Sequence, residues 1–233
     1  HLPLGGRHCL AFADKAPKVR LTMDGSPYDL GSVDLTGDME IYGEEAADGT
    51  RPVILGEVHI NTATLDHFYS EGIEWNGDEQ SLGFLIQLKN GGGFTDGVTV
   101  NSITYKNCTI TGYSKGIMYE WSQPLTMNSY TLDGCELYDV NVEGAGGGEG
   151  IDIRNANTTI GNITIRNSTL YNSFRSFLRI DADVTISGGI NLENNTFMSL
   201  CSIAENSNRG FMAIRTTKVA GETVSKNLFL NMV

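Results

Sequence analysis

Hydrophobic and polar positions alternate along much of this chain in short stretches rich in Ile, Val, Thr and Tyr. A period of two belongs to half-buried β-strands rather than helices. Many stretches come in pairs hinged on Asn or Gly. Tyr-Ser-Glu-Gly-Ile-Glu-Trp fills 69–75, Tyr-Lys-Asn-Cys-Thr-Ile 105–110 and Leu-Asp-Gly-Cys-Glu-Leu 132–137. Ile-Arg-Asn-Ser-Thr-Leu follows at 165–170, Leu-Glu-Asn-Asn-Thr-Phe at 192–197 and Ser-Lys-Asn-Leu-Phe-Leu at 225–230. The hinge is read as Gly72, Asn107, Gly134, Asn167, Asn194 and Asn227, with spacings of 35, 27, 33, 27 and 33 residues.

A period in that range marks a repeat architecture. The Leu/Asn consensus of leucine-rich repeats is absent. A tight turn between two strands needs a left-handed residue, and Asn and Gly adopt that conformation at least cost. Stacked about 4.8 Å apart, Asn side chains can hydrogen-bond in a ladder. The pattern therefore predicts an all-β fold, a right-handed, single-stranded parallel β-helix. Inward files should run through Ile103, Tyr105, Ile163, Ile165, Ile190 and Leu192 before the turn. After it they should run through Cys108, Ile110, Ser168, Leu170, Asn195 and Phe197.

A third strand completes each coil: Gly83–Leu88, Gly116–Trp121, Gly150–Arg154, Ser176–Asp181 and Gly210–Arg215. Coil length varies most around it, through a glycine-rich entry at Gly144–Gly150 and a long one at Cys201–Arg209. Neither is a phosphate loop, since Ala145-Gly146-Gly147-Gly148 lacks the following Lys-Ser/Thr. Residues 1–18 are assigned as an N-terminal cap over open strand edges and 19–233 as the β-helix domain. His1-Leu2-Pro3 is read as a processed or cut terminus. Met232-Val233 ends on a strand, which predicts a neighbouring domain or an oligomer contact there.

The chain has 233 residues, a net charge of −12 and a pI near 4.7. That balance argues against nucleic acid as a partner. No apolar run is long enough for a membrane-spanning helix. Cys9, Cys108, Cys135 and Cys201 form no CxxC pair, so zinc is not indicated. Cys108 and Cys135 share a register position on consecutive coils, and two buried thiols are favoured there over a bridge. His1, His8, His59 and His67 are read as surface or loop residues.

Tyr28-Asp29-Leu30-Gly31, then Met39-Glu40-Ile41-Tyr42-Gly43-Glu44, then Arg51-Pro52-Val53-Ile54 resembles the opening coil of the pectate-lyase-like β-helix superfamily. Within it, the chain is similar to surface and secreted β-helix proteins of Bacteroidetes. The resemblance spans roughly residues 19–233. It implies an extracellular or outer-membrane-surface protein that binds, and in some members cleaves, an acidic polysaccharide such as pectin. The Trp-Ile-Asp-His and Arg-x-Pro-x-x-Arg stretches of pectate lyases are missing.

The outward residues of the third strand are the candidate site: Gln87, Lys89, Glu120, Asp152, Arg154, Arg179, Asp181 and Arg215. A polysaccharide lyase needs a base and a cation to hold the enolate-like charge. Arg154 or Arg179 is the expected base, beside Asp152, with Asp152 and Asp181, and in one arrangement Glu120, holding Ca2+. A hydrolase would instead pair Asp152 with Asp181. Trp121, Glu120, Lys89 and Arg215 are expected to touch sugar. The plainer alternative is a set of surface salt bridges, each worth little. A non-catalytic glycan-binding or adhesion module and a structural spacer remain open.

Overall fold

The computed structural model describes residues 18–77, 82–89, 93–120, 123–142, 149–181, 183–201 and 210–232. Residues 1–17 of the proposed cap, position 121 and most of both long entry loops lie outside them, and Lys18 already belongs to the first strand. The described chain is a parallel β-helix. One sheet carries the strands that precede the hinge, from Lys18–Leu21 and Met39–Gly43 through Thr64–Glu71, Val98–Lys106, Leu125–Asp133, Thr159–Arg166 and Thr185–Glu193 to Glu222–Ser225. Short strands follow the hinge: Glu74–Asn76, Thr109–Thr111, Glu136–Tyr138, Thr169–Tyr171, Thr196–Met198 and Leu228–Leu230. The third strands are Phe84–Leu88, Gly116–Glu120, Glu149–Ile153, Ser176–Ile180 and Met212–Ile214. The first coils differ, because Val53–Ile60 is one continuous strand. It pairs with Glu74–Asn76 at one end and Phe84–Leu88 at the other, fusing the second and third faces into a single sheet.

Period-two alternation puts every second residue inside, where identical register positions stack. One inner file runs Phe68, Ile103, Tyr130, Ile163 and Ile190, and another runs Trp75, Ile110, Leu137, Leu170, Phe197 and Phe229. Each fully buried Leu, Ile or Phe contributes about 1.5–3 kcal/mol of transfer free energy.

The hinge behaves as its chemistry requires. Gly72, Asn107, Gly134, Asn167 and Asn194 all have φ between 49° and 68°. Asn194 Nδ2 donates to Asn167 Oδ1 at 2.9 Å, and Asn167 Nδ2 to Asp133 Oδ1 at 2.8 Å. In the last coil the expectation slips by one residue. Lys226, not Asn227, takes the left-handed position (φ 55°), because Ser225 pairs with Glu193. Asn227 instead enters a second, inner ladder. Its Oδ1 accepts from Asn195, whose Oδ1 accepts from Ser168 N, while Ser168 Oγ accepts from Cys135 N. Asn195, Ser168, Cys135, Cys108 and Ser70 are all buried, and Cys108 and Cys135 are free thiols. No helix among the described residues is long and apolar enough to cross a membrane.

Candidate functional site

Register along the third-strand face lines the outward side chains into two files parallel to the coil axis. The first runs Asp34, His59, Gln87, Tyr119, Asp152, Arg179 and Ala213. The second lies two residues further along each strand and contains Asn61, Lys89, Arg154, Asp181 and Arg215. Their amides continue the parallel pairing, as in Asp181 N to Ile153 O (3.0 Å) and Arg215 N to Ile180 O (2.8 Å). The structure thus brings together Lys89, Asp152, Arg154, Arg179, Asp181 and Arg215 of the expected site.

Glu120 does not join them. It pairs with Ile153 and continues the inward file of Ile60, Leu88, Ile180 and Ile214, and it is fully buried. Strand parity decides this: Tyr119 is the outward neighbour. Glu120 Oε2 accepts from Asn155 N and Thr158 Oγ1, both at 3.1 Å. Its Oε1 is buried with no hydrogen-bond partner among the described residues. Burial pushes the carboxyl up to about 7, against the downward pull of those hydrogen bonds.

The charged part of the face is a checkerboard. Arg154 grips Asp152 with Nε and Nη2 and reaches Glu149 Oε2 at 3.3 Å. Arg179 holds Asp181 in a fork (3.0 and 2.8 Å) and lies 3.8 Å from Asp152 Oδ1 and 3.6 Å from Glu149 Oε1. Arg175 bonds Glu149 at 3.0 Å, and Arg215 bonds Asp181 at 3.2 Å. Glu149 and Asp152 are wholly buried and Arg179 nearly so, whereas the Arg215 side chain is half-exposed. Burial raises the Asp152 carboxyl although Arg154 opposes it. Burial acts most strongly, to lower the Arg154 guanidinium, but the hydrogen bonds to Asp152 together with the negative charge of Asp152 and its neighbours hold it above its usual value.

Two expectations change on this geometry. Arg154 is held protonated rather than prepared to accept a proton. Asp152 and Asp181 do not suit calcium, since all four of their oxygens face guanidinium groups and a dication would sit among like charges. A different cluster, Asp38, Asp66 and His67, has the closest ligand spacing among the described residues. There Asp38 Oδ1 already accepts two backbone N–H groups.

The described aromatics that were candidate sugar platforms are buried or stacked on a neighbour. Trp75 and Tyr113 are buried in the core. Tyr138 and Tyr171 stack on one another at 5.1 Å. Tyr119 stacks on Phe84 at 4.6 Å, with the Arg154 guanidinium 5.6 Å from its ring centre. Trp121, the expected sugar contact, lies outside the described residues.

The sequence reading missed Glu57, His59, Glu149 and Arg175. His59 sits in a strand, not a loop. Its Nε2 is 2.9 Å from Glu57 Oε1, which also accepts from Ser32 Oγ at 2.7 Å. Burial works to raise Glu57, yet the bonds from His59 and Ser32 hold it below its ordinary value. Aligning Val58-His59-Ile60 with Ile86-Gln87-Leu88 and Ile151-Asp152-Ile153 reveals His59 as outward. Glu149 is one residue out of step with Asp152, so alternation alone hides it.

The sequence pattern of a family described as a domain of unknown function (DUF4957) matches residues 26–173. The chain belongs to this family. The match includes Lys89, Asp152 and Arg154 and ends before Arg179 and Arg215. No curated protein and no solved structure matches the chain.

Proposed function

We propose that this DUF4957-family protein binds an acidic polysaccharide along the third-strand face, outside the cell or on its outer surface. One observation carries the reading. In a chain of net charge −12, Arg154, Arg175, Arg179 and Arg215 gather on one straight face beside Lys89. The four arginines outnumber the three carboxylates that fix them, Glu149, Asp152 and Asp181, while Lys89 is paired with Asp34. Guanidinium groups preorganised by buried acids are suited to carboxylate recognition, because little side-chain entropy remains to be lost.

The test is affinity electrophoresis of the whole chain through gels holding polygalacturonate, a glycosaminoglycan or neutral dextran. Retardation by the acidic polymers alone, weakened by salt and by Arg215→Ala, is expected. Equal mobility in all three gels overturns the reading. Incubation with the same uronides, followed by ultraviolet absorbance of the unsaturated product, separates binding from cleavage.

A further inference from the structure

The second outward file has a charge rhythm that a random salt-bridge surface would not need. Lys89 is in the third coil, Arg154 in the fifth and Arg215 in the seventh, as the pairing of Leu88, Glu120, Ile153, Ile180 and Ile214 shows. Coils stack about 4.8 Å apart, so these cations repeat every two coils, at about 9.6 Å. In the sixth coil the same file holds Asp181, between Arg154 and Arg215. Arg179 lies in the neighbouring file, but its side chain is only 10% exposed and is taken up by Asp181, Asp152 and Glu149. The cations open to solvent are therefore the alternate ones, with side-chain exposures of 36% for Lys89, 21% for Arg154 and 49% for Arg215. Arg154 spends Nε and Nη2 on Asp152 and Glu149, and Arg215 makes one contact through Nη1. Each keeps donors for a ligand.

From ordinary bond lengths, a pyranose ring linked through opposite corners advances a chain by roughly 5 Å, close to one coil. We infer that the face selects a polysaccharide carrying its carboxylate on alternate rings, rather than a homopolymer of uronic acid. On this track the acidic rings of an alternating polymer meet Lys89, Arg154 and Arg215, and a neutral ring passes Asp181. In the sixth coil Asp181 already takes up Arg179 and one contact of Arg215, so the carboxylate a homopolymer would set there finds no open cation. The inference rests on the acidic-polysaccharide reading above and adds the spacing.

The experiment compares hyaluronan, with a carboxylate on every second ring, and polygalacturonate, with one on every ring, against the intact chain. Hyaluronan is expected to bind about tenfold more tightly. Asp181→Asn should narrow the gap by admitting polygalacturonate, with far-ultraviolet circular dichroism confirming the fold. A second measurement needs no change at Asp181. Three cations two coils apart span about five rings, so affinity should climb from hyaluronan oligosaccharides of about four rings to about six. In Arg215→Ala that climb should vanish. Equal binding of the two polymers, or an unchanged length dependence in Arg215→Ala, overturns the spacing inference and leaves acidic-polymer binding standing. Binding of neither polymer overturns both.

Discussion

Replacing Glu120 with Gln should make the protein more stable at pH 8 and leave it nearly unchanged at pH 4.5. Glu120 is fully buried in a file whose other members are Ile and Leu, and burial lifts its carboxyl from 4.5 to about 7. A carboxyl raised in the folded state contributes stability that is fully present below its unfolded value and lost as pH rises through its folded value. Between about 4.5 and about 7 the native state holds one proton that the unfolded chain has released. Unfolding free energy then falls by about 1.4 kcal/mol per pH unit, or about 3 kcal/mol across the window, and levels off above it.

The amide introduced by Glu120→Gln would keep an acceptor for Asn155 N and Thr158 Oγ1 and would place a neutral donor where protonated Glu120 has its O–H. The two forms should therefore match at low pH. At pH 8 the wild type buries a charge and the variant does not. Urea midpoints at the two pH values supply the test, and in a chain of this size the gap corresponds to about 6–12 °C in Tm. Asp34, Glu40, Glu71 and Asp133, all lowered by hydrogen-bonded or charged neighbours, lose stability as pH falls. They do so in both proteins and cancel in the difference. A wild-type-minus-variant difference that is the same at pH 4.5 and pH 8 would refute the reasoning.

Arg179→Ala strips a partner from buried Asp152 and Glu149 and should cost about 3–5 kcal/mol in urea unfolding, while Arg215→Ala, at an exposed pair, should cost under about 1 kcal/mol; similar losses for the two would contradict the division between frame and track. Asn195→Ala orphans Ser168 N and the Ile165 carbonyl and should cost about 2–4 kcal/mol, whereas a loss within about 0.5 kcal/mol would remove the inner ladder from the account. In a Cys9→Ser background, a thiol reagent should find no reactive cysteine in the native protein and three in denaturant, because Cys108, Cys135 and Cys201 are buried and free and burial pushes Cys201 up to about 11. Only one titratable thiol in denaturant would reveal a bridge.

The fold was legible because its signals are local and repeated. A left-handed turn restricts residue type at one position per coil, and Gly134 shows how tightly: a Cβ there would run into Asn107 Oδ1. Five of the six hinge assignments rest on that restriction. The sixth failed where two candidate positions adjoin, since Lys226-Asn227 offers an Asn one step late and only pairing with the previous coil resolves it. The site was less legible because it depends on strand parity across coils of unequal length. Glu120 and Arg154 look equivalent as charged residues near strand ends, yet one step in register sends the first into the core and the second to solvent. Arg154 and Arg179 each hold an acid two residues away, but what sets Arg179 apart as frame is its reach to Glu149 and Asp152 in the previous coil, and no single-strand pattern carries that.

The same parity bears on whether the face moves protons or only holds charge. Elimination from a uronate needs a base that is unprotonated at working pH and reaches the sugar. Arg154 lies over the track but is kept charged by Asp152, and Arg179 is clamped among Asp181, Asp152 and Glu149. Glu120, whose carboxyl is pushed up to about 7, points the other way and is buried. Among the described residues, this face carries positive charge braced from beneath by buried acids. On the acidic-polysaccharide reading proposed above, that arrangement would hold a polyanion in its ground state, and interactions made equally in ground and transition states tighten binding without speeding a reaction.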